Sequence, residues 1–302
     1  MNPSFLEAEP VLLAPMAGVL NLPLRLALRQ FGWTTSWIGS IDAGAVVAAG
    51  DGRLINILGR VEPIATEESP LVVQLLGNDV GALSEAMALL EDRVDAFDIN
   101  LGCPLPQVTR KGLGASLLEE PSRTTDMIRR LAVRTRRPLT AKIRITRGVR
   151  FQETVRFAEQ LESAGVAALV VHARTADQGF SGPPDWTAIR VIRDRLSIPV
   201  IANGGIGTAP DVMSCQAQTL CSSVMVGAGA IRNPFLALEY ERLAHDEPPP
   251  KGGGSRLADF AAEYGRRLAG LRRTSGPLFT YPLGYLGYLI LRIRIMLFVG
   301  RH

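Results

Sequence analysis

The chain has 302 residues, 47% of them hydrophobic, and 33 Lys and Arg against 29 Asp and Glu give a net charge of +4. That length allows one large domain or a large and a small one, and the apolar fraction is ample for a packed core, which excludes a disordered or fibrous chain. Three cysteines, Cys103, Cys215 and Cys221, have neither the even count nor the spacing of a disulfide framework or a zinc site, and Met1 to Glu9 carries no apolar signal core, so no metal is expected and a reduced cytoplasm is the default.

Apolar runs alternate with helix-length amphipathic stretches. In chain order the strands are predicted as β1 at Val11 to Ala14, β2 at Thr35 to Ile38, β3 at Leu71 to Leu76 and β4 at Ala96 to Ile99. They continue with β5 at Leu139 to Ile145, β6 at Ala167 to His172, β7 at Ile198 to Ala202 and β8 at Ser223 to Gly227. This is the α/β pattern of a (β/α)8 TIM barrel, whose usual length is roughly 250 residues. An open doubly wound sheet competes, but no G-x-G-x-x-G follows β1. Residues 246–256, with a proline run beside a glycine run, read as a linker. Charge divides at the same place: residues 1–245 hold 24 Lys and Arg against 25 Asp and Glu, and residues 246–302 hold 9 against 4. The barrel is therefore expected over 1–245 and a small, basic, mainly helical C-terminal domain over 257–302.

Active sites of such barrels sit at the C-terminal ends of the strands. The residues expected there are Pro15, Met16 and Ala17 after β1, Gln74 in β3, Asn100 and Cys103 after β4, and Lys142 in β5. His172 and Arg174 end β6, Asn203, Gly204 and Gly205 follow β7, and Gly227 and Ala228 follow β8. The glycine loops after β7 and β8, with a helix starting near Asn233, suit a phosphate. Lys142 shares a strand face with Thr140 and Arg144; an inward cation there needs a counter-charge, which a bound anion or electron-rich ring can supply, whereas a strand-end charge reaching solvent needs none. Gln74 can offer a donor and an acceptor to a heterocycle edge. A lone histidine such as His172 at the end of an apolar strand is more often a hydrogen-bonded structural residue than a catalytic one. Cys103 reads either as a nucleophile with a base such as His172, or as a general acid that stays protonated until transfer. Cys215 and Cys221 fit inert burial.

Several segments together resemble the tRNA-dihydrouridine synthase family. They are Leu13 to Val19, Val73 to Asp79, Asp98 to Leu118, Lys142 to Arg144, Val171 to Thr175 with Gln178 and Gly182, Asp185-Trp186, Ile198 to Gly204, and Val224 to Pro234. Asn100-Leu101-Gly102-Cys103-Pro104 followed by Gly112-Leu113-Gly114-Ala115 is the most specific element. The resemblance implies an FMN enzyme, reduced by NADPH, that converts a uridine of the tRNA D-loop to 5,6-dihydrouridine. It implies Cys103 as proton donor to C5, and Asn100 and Arg174 as substrate contacts. Pro15, Met16, Ala17, Gln74, Lys142 and His172 would then line the flavin, and Asn203, Gly204, Gly205, Gly227 and Ala228 would hold its ribityl phosphate.

Two positions depart from the family pattern: Ala228 replaces the usual arginine of Gly-Arg-Gly, for which Arg232 could substitute, and Gly205 stands where an acidic residue is common. The family's basic C-terminal domain implies Arg266, Arg267, Arg272 and Arg273 as tRNA phosphate contacts. Thr274 to Leu291 carries no charge over 18 residues, but Pro277, Pro282, Gly284 and Gly287 interrupt it, so a packed or shortened domain end is expected over a membrane span. A monomer is expected. Two alternatives stay open: an FMN barrel oxidoreductase of a free small molecule, of the dihydroorotate dehydrogenase type, and a tRNA-binding relative with impaired catalysis.

Overall fold

Eight strands form one parallel sheet: β1 Val11–Leu13, β2 Ser36–Asp42, β3 Leu71–Leu76, β4 Ala96–Asn100, β5 Leu139–Arg144, β6 Ala168–His172, β7 Val200–Asn203 and β8 Val224–Val226. The computed structural model describes residues 4–57, 59–146, 148–248, 250 and 253–274, of which the side chains of 4, 7, 149, 253, 254 and 271–274 are not included. The uncharged run beyond 274 lies outside the described residues. Around the sheet the order is β1-β8-β7-β6-β5-β4-β3-β2. Pairing of the first strand with the eighth, Val11 opposite Val224 and Leu13 opposite Val226, makes a nearly closed barrel; an open doubly wound sheet has no such pair. Strand ends agree with the predicted ones to within two residues, except that β2 runs four residues further, to Asp42.

The two faces of each strand sort by their period of two. Outward residues such as Val73, Phe97, Ile143, Val171 and Val226 join the large core under the helices. Inward residues Leu12, Trp37, Val72, Ala96, Ala168, Val170, Ile201 and Met225 form a separate plug inside the barrel, closed below by Leu6 of the helix Ser4–Ala8. Two residues further along the same inward rows the side chains become polar: Gln74, Asp98, Lys142, His172 and Asn203. The change from apolar plug to polar mouth is what creates a site.

The helix Gly253–Thr274 lies against the barrel. Phe260, Tyr264 and Leu268, spaced four apart, are buried with the main core, and Phe260 meets Phe31 and Phe235 with ring centroids 5.6 and 6.2 Å away. The predicted linker ran to residue 256, but the helix begins at Gly253, and its first turn is held where the Arg256 guanidinium stacks 4.7 Å over the Phe235 ring. Among the described residues no helix is long and apolar enough to cross a membrane.

A buried ion cluster ties the loop after β1 to the segment before β3. Arg25, on the helix Leu22–Arg29, gives Nε to Glu68 Oε1 at 2.6 Å, one NH1 proton to the Leu20 carbonyl at 2.7 Å and one NH2 proton to the Pro63 carbonyl at 2.7 Å. Glu62 lies 3.6 Å from the same guanidinium, and burial raises its carboxyl pKa. Removing one partner of such a cluster strands the others in low dielectric. Glu68→Leu is expected to lower unfolding stability by about 3–5 kcal/mol. The check is a urea midpoint shift at unchanged slope, and a loss under about 1 kcal/mol would mean the site is open to water.

Candidate active site

Adjacent strands place the floor of the mouth. Gln74 of β3 stands opposite Asp98 of β4, and Asn100 of β4 stands opposite Lys142 of β5. Gln74 Nε2 donates to Asp98 Oδ2 at 2.7 Å, and Thr140 Oγ1 donates to Asp98 Oδ1 at 2.7 Å. Gln74 Oε1 accepts from Ser40 Oγ and, at 2.9 Å, from Asn100 Nδ2. Burial raises the Asp98 carboxyl to about 6, against the pull of those two hydrogen bonds and of Lys142.

A cationic wall faces this floor. Lys142 Nζ donates to Asn203 Oδ1 at 2.7 Å, and Asn203 Nδ2 donates to the Met225 carbonyl at 2.7 Å. Burial first, and then Arg144, lowers the Lys142 ammonium to about 7, although Asp98 opposes this. Arg144 is pinned by three carbonyls, those of Gly102, Thr175 and Gly179 at 2.7, 2.9 and 2.7 Å, and carries the exposed Phe180 ring 5.3 Å from its guanidinium carbon. His172 is buried, and desolvation with the charges of Lys142, Arg144 and Arg174 lowers its pKa to about 2, so its ring is neutral. Its Nε2 has no hydrogen-bond partner among the described residues. Arg174, partly exposed, donates Nε to the Gly182 carbonyl at 2.9 Å.

Cys103 sits on the loop after β4, held by Asn100 Oδ1, which accepts from the Gly102 and Cys103 N–H groups at 3.1 and 2.9 Å. The loop closes on itself where Gly114, at φ +61°, approaches so closely that a Cβ there would lie 2.6 Å from the Cys103 carbonyl oxygen. Burial raises the thiol pKa, and the nearby Arg144 and Lys142 only partly offset this. A raised thiol in a mouth whose His172 is neutral and weakly basic suits a proton donor better than an activated nucleophile.

On the far side, Gly204 has φ +109°, and a Cβ there would lie 2.5 Å from His172 Cδ2, so the loop after β7 needs glycine to pass the ring. Gly205 presses on Pro184, while Gly227 lies near Ala14 and the Met16 sulfur, which brings the Pro15 to Ala17 turn beside the loop after β8. Ala228 is exposed at the start of the short helix Ala228–Arg232, and an Arg232 nitrogen lies 3.4 Å from where a Gly207 Cβ would stand. The barrel residues predicted from sequence thus converge on one mouth. Arg266 and Arg267 are elsewhere, on the C-terminal helix, each 2.7 Å from Glu263, with Arg267 also 3.4 Å from Glu67; the side chains of Arg272 and Arg273 lie outside the described residues. Among the described residues no group of His, Cys, Asp or Glu is placed to hold a metal ion.

The family model for Dihydrouridine synthase (Dus) matches residues 12–271. The chain belongs to the dihydrouridine synthase family. A probable tRNA-dihydrouridine synthase of Rhodobacter capsulatus is 32% identical over 87% of this chain and 83% of its own length. A tRNA-dihydrouridine(16) synthase of Ralstonia nicotianae is 33% identical over 86% of this chain and 82% of its own. A tRNA-dihydrouridine(16/17) synthase-like protein of Rattus norvegicus, whose name also carries NAD(P)(+), is 36% identical over 74% of this chain and 50% of its own.

Three residues of this dihydrouridine synthase mouth were not among the candidates drawn from the sequence. Ser40 was missed because Gly39-Ser40 looks like a strand end; Gly39 is there because a Cβ would lie 2.8 Å from the Gln74 carbonyl oxygen. Asp98 was missed as a member of a motif, though a carboxylate in an apolar strand was the available signal. Arg144 shares the Lys142 face but had no assigned partner.

The raised thiol predicts slow alkylation. In a site-resolved iodoacetamide titration, Cys103 is expected to reach half its maximal rate at a higher pH than an exposed cysteine in a peptide. An inflection below pH 8 would return the nucleophile reading.

Proposed function

We propose that this dihydrouridine synthase reduces a uridine in the tRNA D-loop to 5,6-dihydrouridine, using FMN re-reduced by NADPH and Cys103 as proton donor to C5. The observation that carries the reading is Cys103 on a loop whose backbone is held by Asn100, its thiol pKa raised by burial, at the rim of a mouth whose charges are mostly positive. Several features fit a phosphorylated, electron-rich ring: the buried Nε2 of His172 with no partner among the described residues, the Lys142 ammonium with one proton committed to Asn203, and the glycine loops after β7 and β8. Pro15, Met16, Ala17, Gln74, Lys142 and His172 would hold the ring, and Asn203, Gly204, Gly205, Gly227 and Ala228 the phosphate. Reduced FMN supplies the hydride taken up at C6 of the uracil.

The chain's own part is to place and move a proton. Cys103 gives the Sγ proton to C5, and the thiolate left behind is met by Arg144 and Lys142 until water returns a proton. Arg144 is fixed for this by its three carbonyl contacts. Asn100, buried beside Lys142, orients the loop, and Arg174 at the rim is free to meet the polynucleotide with its NH1 and NH2 groups. A uridine of folded tRNA reaches such a mouth only when flipped out, which calls for a grip on the flanking backbone. Arg266, Arg267, Arg272 and Arg273 supply it; the pair of the exposed Arg266 with Glu263 is weak enough for a phosphate to displace. The names of the relatives support tRNA as substrate, and the rat protein's name supports the nicotinamide reductant.

Cys103→Ala is expected to keep the flavin absorbance and lose roughly 10²- to 10⁴-fold in turnover. Near wild-type conversion of uridine by the reduced variant would remove Cys103 from the chemistry. Replacing Arg266, Arg267, Arg272 and Arg273 together by Gln is expected to weaken tRNA binding and flatten its salt dependence, by up to about one unit of log-log slope per lost phosphate contact. Binding that keeps both strength and slope would place the grip on the barrel.

A further inference from the structure

We propose that Asp98 is a positioning residue: from the floor of the mouth, its carboxylate sets the direction of a hydrogen-bond chain through Gln74 and Asn100 that holds the loop carrying Cys103. The contacts are continuous. Thr140 Oγ1 and Gln74 Nε2 each donate to Asp98 at 2.7 Å, Asn100 Nδ2 donates to Gln74 Oε1 at 2.9 Å, and Asn100 Oδ1 accepts from the Gly102 and Cys103 N–H groups at 3.1 and 2.9 Å. Asp98 and Thr140 are 0% exposed, Gln74 2% and Asn100 7%, so water has little access to substitute for any link.

The direction follows from chemistry. Primary amides can face either way, but an ionised carboxylate can only accept. It therefore requires the NH2 end of Gln74, which leaves the Gln74 oxygen for Asn100. Asn100 must then offer its NH2 to Gln74 and its oxygen to the loop. Ser40 agrees with this sense, since its hydroxyl donates to Gln74 and accepts from Asn100. With Gln74 reversed, its oxygen would face the Asp98 oxygens, and a reversed Asn100 would set NH2 against two backbone N–H groups. The loop would lose both bonds. Buried amide chains of this kind gain from every correct link and lose heavily from one wrong one.

The hydrogen bonds of Asp98 go to Gln74 and Thr140, none of them to the loop among the described residues. Its influence on Cys103 passes through Asn100. That the loop bears the proton donor rests on the function proposed above; that the loop is held from Asp98 does not.

The test is amide hydrogen exchange of the full-length protein in the peptide covering Gly102 and Cys103, with the helix Phe151–Ser163 as control for global opening. Asp98→Ala is expected to speed exchange of the loop amides by about tenfold or more at unchanged control exchange. Asp98→Asn is expected to stay within about threefold, because the Thr140 hydroxyl can turn to the Phe97 carbonyl, 3.3 Å away, and accept from the new amide NH2, leaving the new amide oxygen for Gln74. Rescue by the amide separates the hydrogen-bond role from the charge that Asp98 presents to Lys142. The double variant Asp98→Ala with Asn100→Ala is expected to exchange like Asn100→Ala alone, the mark of one path. If Asp98→Ala does not fold, Gln74→Met breaks the same chain one link along and carries the same expectation. Unchanged loop exchange in the folded variants, or effects of Asp98 and Asn100 that multiply, would overturn the proposal. Turnover keeps the two readings apart: fast loop exchange together with a fully active Cys103→Ala would retain the chain and reject the proton donor.

Discussion

Positive charge held inside a nearly closed barrel is the constraint around which this mouth is arranged. Lys142 and Arg144 project from alternate inward positions of one strand, with Arg174 at the rim, and Asp98 is the carboxylate that acts on Lys142. Burial strips these groups of solvent, so each responds in the direction that lowers local charge: Lys142 falls to about 7, His172 goes neutral, and Asp98 rises to about 6. Arg144 falls only to about 10 and stays a cation, satisfied by carbonyl dipoles. A site with this imbalance favours an anionic ligand.

The same inward rows explain why the site lies where it does. Below the crown the rows are filled by Leu12, Val72, Val170, Ile201 and Met225, which seal the barrel against water from the other end. The crown itself cannot be sealed, because its side chains need partners. Gln74 and Asn100 supply them across neighbouring strands, Asn203 reaches Lys142 from two strands away, and Asn100 also steadies the loop that carries Cys103.

Much of this was legible in the chain. Strand count and spacing carry the barrel, because βα repetition is a long-range pattern that boundary errors do not disturb. The ring residues Gln74, Asn100, Cys103, Lys142, His172 and Asn203 were legible because polar residues that end apolar strands stand out. What was hidden depends on distances that no local pattern contains. The bulk of Gln74 against Gly39 makes a glycine look like a strand end when it is a close approach. The seat of Arg256 on Phe235 draws a glycine run into a helix, against its intrinsic preference. Ala228, which removes a side-chain cation, leaves Arg232 near the loop after β7, a placement that required the fold to be seen. From the residues alone Cys103 stayed open between thiol acid and nucleophile, because burial is not written in the sequence.

The most direct test of the account is formation of dihydrouridine in tRNA isolated from a strain lacking this enzyme, on incubation with the purified protein, FMN and NADPH. The account predicts dihydrouridine in that tRNA and none when free uridine replaces it. Flavin-bound protein that oxidises NADPH yet forms no dihydrouridine in the tRNA would contradict it.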